Sequence, residues 1–83
     1  MEKQWVVYIL RCADDTLYTG ITDDLQRRLR LHSEGKGAKY TRGRGPVELL
    51  WSAPCESHSD ALKRECAIKR LSRAQKLSLI HNA

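Results

Sequence analysis

The segment QWVVYILRC, residues 4–12, limits what this chain can fold into more than any other. Trp5, Val7 and Ile9 alternate with Val6, Tyr8 and Leu10, so a strand here is apolar on both sides. Both faces must be kept from water, which predicts a central strand with neighbours beside it and other elements packed over it. Ala13-Asp14-Asp15-Thr16 then makes a short acidic turn, and Leu17 to Ile21 is a second run rich in apolar, β-branched and aromatic residues. The two runs predict an antiparallel hairpin. Each carries one tyrosine, Tyr8 and Tyr18, and Gly20 follows the second by two residues. A glycine inside a strand marks a bulge or an edge where another backbone or a ligand comes close.

Thr22, Asp23 and Asp24 supply N-cap candidates for a helix running to about Ser33, with Leu25 and Leu29 on its core side and Gly35 as its stop. Val47 to Trp51 reads as a third strand, closed by Ser52-Ala53-Pro54. Ser57-x-x-Asp60, or Ser59, opens a second helix reaching about Leu71, and Ser72-x-x-Gln75 has the form of a capping box for a short last helix through Ile80. The order ββα-β-αα predicts an α+β domain: a small three-stranded antiparallel sheet flanked by helices.

At 83 residues the chain is expected to be one domain, 1–83, burying roughly 60–65% of its unfolded surface. Hydrophobic content of 41% beside 30% charge excludes a disordered tail. No apolar run approaches the roughly 18 residues of a membrane span, and MEKQWVV lacks the form of a signal peptide, so a cytoplasmic location without a membrane partner is expected. Cys12, Cys55 and Cys66 are odd in number and far apart, which predicts buried or half-buried free thiols. The histidines have no metal-ligand spacing, and His58 and His81 are expected in solvent.

The net charge of +5 is unevenly spread. Arg27, Arg28, Arg30, Lys36, Lys39, Arg42 and Arg44 stand against one acid, Glu34; Lys63, Arg64, Lys69, Arg70, Arg73 and Lys76 form a second group. Such local excess suits phosphates, with nucleic acid ahead of membrane, although a solvated basic face would look the same. The loop at 35–46, GKGAKYTRGRGP, has four glycines. Its backbone can approach phosphates, Lys39, Arg42 and Arg44 add charge, and Tyr40 can stack on an unpaired base.

Arg28 and His32 are four residues apart on the first helix, one turn from each other at the edge of the leucine stripe. The helix starts directly after the second strand, so both can converge with Tyr18. Spacing alone fits a solvated Arg and His better.

The ordered set Val6-Val7-Tyr8, then Tyr18-Thr19-Gly20, then LQRRLRLH at 25–32, then AKYTRGRGP, ELLW and ALKRECAIKRLS, resembles the GIY-YIG nuclease superfamily, nearest to its small stand-alone YhbQ-like bacterial group. The resemblance covers nearly the whole chain and implies the same three-stranded α+β fold. It implies a metal-dependent endonuclease hydrolysing DNA, at branched or damaged structures in repair or recombination, RNA not being excluded. Tyr8 and Tyr18 match the two signature tyrosines, Gly20 the closing glycine, Arg28 the catalytic helix arginine and His32 a polar position one turn later. Glu65 falls at the metal-binding carboxylate, implying one divalent ion, Mg²⁺ or Mn²⁺. The catalytic candidates are therefore Tyr8, Tyr18, Arg28, His32 and Glu65; the substrate-binding candidates are Gly20, Lys39, Tyr40, Thr41, Arg42 and Arg44. The first signature reads VVY, with Val6 at the glycine position.

These residue types suit phosphodiester hydrolysis, which needs an activated water, cations on the developing charge and a held phosphate. Arg28 offers a fixed fork of donors, and Glu65 can anchor one hard cation that keeps most of its water. A phenol with an ordinary pKa of about 10 is a poor base at neutral pH, so Tyr8 needs help from cations or a relay through water. Tyr18 orients the attacking water or supports that base, and His32 can share the proton work, so the base is one of Tyr8, Tyr18 and His32. Glu65 can equally pair with Lys69 at i+4. The alternative function is a nucleic-acid-binding module on the same fold, with weak catalysis or catalysis supplied with a protein partner in a repair assembly.

Overall fold

The computed structural model describes residues 4–35 and 46–82. Strands β1 (Trp5–Arg11), β2 (Leu17–Thr22) and β3 (Glu48–Cys55) form one antiparallel sheet in the order β2-β1-β3. Helices α1 (Leu25–Ser33), α2 (His58–Lys69) and α3 (Arg73–His81) complete the order ββα-β-αα. The architecture is the expected α+β one, with the doubly apolar strand in the centre.

β1 is covered on both faces. Val7 and Ile9 are fully buried in a cluster with Cys55, Ala61 and Ile68, and Leu17, Ile21, Trp51, Leu79 and Ile80 pack around it. Tyr8 and Leu10, pointing the other way, are also fully buried. Opposite them in register stand Gly20 and Tyr18, so these four positions share a face.

Local signals set most boundaries. In the β1–β2 turn, Asp14 Oδ1 accepts from the Thr16 amide at 3.2 Å and its hydroxyl at 2.6 Å, while Asp15 takes φ 66°. Asp24 caps α1 by accepting from the Arg27 amide at 3.2 Å, and Gly35 adopts φ +74° just past its end. Ser57 caps α2, and Ser72 with Gln75 forms the capping box of α3.

Some expectations need correction. The third strand does not close at Ser52-Ala53-Pro54 but continues to Cys55. β3 is an edge strand, so a proline without an N–H is tolerated on its outer side. Gly20 is not a bulge: β1 and β2 pair without a slip, and the irregularity lies in β3, where Ile9 faces Trp51 and Leu10 faces Leu49. α2 ends at Lys69, short of Leu71. Cys12 and Cys55 are buried free thiols, but Cys66 is exposed. Among the described residues no helix is long and apolar enough to cross a membrane.

Ile9→Ala removes most of a fully buried side chain at the centre of the cluster. It is expected to cost about 2–5 kcal/mol, read by urea or thermal denaturation.

Candidate active site

The β1–β2 hairpin and α1 bring three rings together. Tyr8 Oη and His32 Nε2 are 3.1 Å apart in a buried contact, the tautomer of His32 setting which of them donates. The Tyr8 and Tyr18 ring centroids are 6.3 Å apart, those of Tyr8 and His32 6.1 Å, and those of Tyr18 and His32 5.5 Å, all edge-to-face. His32 is 1% exposed and is the buried residue of α1, while Leu25 and Leu29 are only half-buried. The solvated His that spacing favours is therefore not what forms. The helix spends its inward position on a ring that hydrogen-bonds the central strand.

Gly20 makes this arrangement sterically feasible. A Cβ built there would lie 2.6 Å from Tyr8 Oη and 2.7 Å from its Cζ. The outer end of the Tyr8 ring thus lies across β2, over the position paired with it, and only a residue without a side chain leaves that space. Because β2 is an edge strand, the phenol is carried from the middle of the sheet toward its rim.

Charge from two helices acts on that phenol. Burial pushes Tyr8 above its ordinary value; hydrogen bonding from Arg28 pulls it down, the charge of Tyr18 raises it, Arg28 lowers it again by charge, and Glu65 raises it. Arg28 on α1 and Glu65 on α2 therefore both lie within electrostatic reach of Tyr8. Burial, and then the Arg28 charge, pull His32 below its ordinary value, so the ring is neutral at pH 7. Glu65 has a side chain 20% exposed and makes the i,i+4 ion pair with Lys69, N···O 3.5 Å. Among the described residues no cluster of three or more His, Cys, Asp or Glu could hold a metal, so an ion here would rely on Glu65 with water and substrate. A single partly exposed carboxylate fits one hard divalent cation that stays largely hydrated.

Of the expected residues, Tyr8, Tyr18, Gly20, Arg28, His32 and Glu65 are brought together. Lys39, Tyr40, Thr41, Arg42 and Arg44 lie outside the described residues. Val6 is half-buried in β1, paired with Thr22 and Pro54 as an ordinary strand residue. The second basic group is divided: Arg64 pairs with Asp60, Lys69 with Glu65 and Arg73 with Asp15. Sequence reading passed over Thr19, which is 3% exposed, and Lys76, which lines a cleft beside Tyr18. The only signal for Lys76 was its place in that basic group, which carries no position.

Residues 4–78 match the GIY-YIG catalytic domain, and the chain belongs to that family, within a nuclease superfamily. A UPF0213 protein of Oceanobacillus iheyensis is 54% identical to it over 96% of this chain and 93% of its own length. Another, of Natronomonas pharaonis, is 55% identical over 96% of this chain and 94% of its own. The solution NMR structure of a UPF0213 protein from Bacillus halodurans superposes with TM-score 0.61 at 46% identity, covering 94% of this chain and 83% of that one. A solution NMR structure of an E. faecalis protein gives TM-score 0.65 at 39% identity, covering 99% and 91%.

Gly20→Ala must displace Tyr8 from its place against His32. An overpacking loss of about 1–3 kcal/mol is expected in thermal denaturation, with a shifted His32 NMR titration. The His32 titration itself has a definite sign. With its folded pKa below the unfolded value, its contribution to stability is complete above about pH 6.5 and falls as the pH drops toward the folded pKa. His32→Gln should therefore show a flatter decline in stability than wild type between about pH 6.5 and 5, measured by urea unfolding.

Proposed function

We propose that this chain, acting as one nuclease domain, is a metal-dependent endonuclease that hydrolyses DNA phosphodiester bonds, with branched or damaged DNA as its substrate class. The observation that carries this is the convergence of Tyr8, Tyr18 and His32 at the rim of the sheet, within reach of a cation, Arg28, and an anion, Glu65.

Arg28 would grip the scissile phosphate with its planar fork and offset its charge. The phenol of Tyr8, with an ordinary pKa of about 10 that burial raises further, is protonated at neutral pH. It therefore needs a partner to act as base, and neutral His32 Nε2 at 3.1 Å is placed to take its proton as Tyr8 accepts one from the attacking water. Tyr18, edge-on to both rings, would orient that water. Glu65 would hold one Mg²⁺ or Mn²⁺, which when bound supplies positive charge at the phosphate and stabilises the leaving oxygen. Lys69 must then release the carboxylate it pairs with.

One observation favours the second function, a DNA-binding module with partner-dependent catalysis. Glu65 is already ion-paired with Lys69, and the Tyr8 phenol, its pKa raised further by burial, is protonated at neutral pH. Without a trigger the centre has neither an unpaired carboxylate nor an ionised phenol.

Nicking of supercoiled plasmid and of branched DNA separates these functions. Wild type should cut with Mg²⁺ or Mn²⁺ and stop with EDTA, and Arg28→Ala or Glu65→Gln should each slow cutting by about 10²–10³-fold. Equal cutting by both variants would refute the site. Salt-dependent binding without any cutting would favour the binding module.

A further inference from the structure

Tyr18 faces more than the reaction centre. It also lines a cleft of about 230 Å³ at the outer edge of β2, together with Leu17, Thr19, Lys69 and Lys76. We propose that this cleft seats the phosphate next to the one that is cut, with Lys69 and Lys76 as its cations. The proposal rests on the phosphodiester-cleaving function above and adds the path of the substrate strand.

Charge distinguishes this cleft from the other one flanking the centre. The cleft on the Arg28 side carries Asp23 and Asp24 beside Arg27 and Arg28, so its two acids offset its two cations. The β2-edge cleft has two lysines and, among its lining residues, no acid. A chain of phosphates leaving the centre is therefore drawn toward the β2 edge and not toward Asp23 and Asp24.

The lysines are placed by the helix ends. Lys69 is the last residue of α2, and the capping box at Ser72 starts α3 three residues later, which turns Lys76 back toward β2. Lys76 is half-buried and has no carboxylate in ion-pair range among the described residues. An anion in the cleft would give that ammonium a charged partner there. Lys69 links the two places: releasing Glu65 frees its ammonium for the cleft it already lines.

Binding of the full chain to a fluorescein-labelled duplex, measured by anisotropy in EDTA across a salt series, tests this without requiring catalysis. Lys76→Gln is expected to reduce the slope of log K against log salt by about 0.9, and the Lys69→Gln/Lys76→Gln pair by about twice that. Lys63→Gln is the control, because two residues before Glu65 it stands about 200° around α2. Thermal melting confirms that each variant is folded. A wild-type slope in Lys76→Gln, a loss no larger than that of Lys63→Gln, or no binding by wild type overturns the cleft. Cutting assayed in parallel separates the two proposals. Cutting with an unchanged slope removes only the cleft, whereas a reduced slope without cutting removes only the nuclease function.

Discussion

The site depends on one steric allowance: the Tyr8 ring lies across β2 because the residue paired with Tyr8 is Gly20. A phenol on the central strand of a covered sheet would ordinarily be sealed in the core. Here it stays fully buried, yet it passes over a side-chain-free position on an edge strand, where charge from α1 and α2 acts on it. His32 hydrogen-bonds it from α1, and the charge of Glu65 reaches it from α2. The helices need not touch each other for both to act on one oxygen.

Burial gives that oxygen its character. Desolvation favours the protonated phenol of Tyr8 and the neutral ring of His32, while Arg28 pulls against the first and reinforces the second. In such a place a charge counts for more than it would in water. Glu65, whose charge reaches that oxygen, is itself ion-paired with Lys69.

Much of the fold was legible because its signals are local. Doubly apolar alternation made β1 central, the Ala13–Thr16 turn made the hairpin, and Asp24, Ser57 and the Ser72–Gln75 box set the helix starts. The errors share another cause. Pro54 looked like a strand stop because sequence does not say which strand lies at an edge. Cys66 was expected to be covered, but it lies on the exposed side of α2, which a lone thiol in a helix does not reveal. Arg28 and His32 looked solvated because i,i+4 spacing gives a shared face but not its direction, and His32 is buried.

Sequence by itself determined the elements, their order and the identity of the candidate site residues, since periodicity, caps and the spaced Tyr, Gly, Arg, His and Glu positions are written along the chain. Tertiary structure decided what those groups are to one another. It laid Tyr8 over Gly20, buried His32 against it and set Lys69 on Glu65. It also divided a uniform basic stretch into paired surface charges and a cleft with Lys76 beside Tyr18. The physical reason is that desolvation and charge act through distance in space, and residues from 8 to 76 come within reach of one another only once β2 lies at the sheet edge.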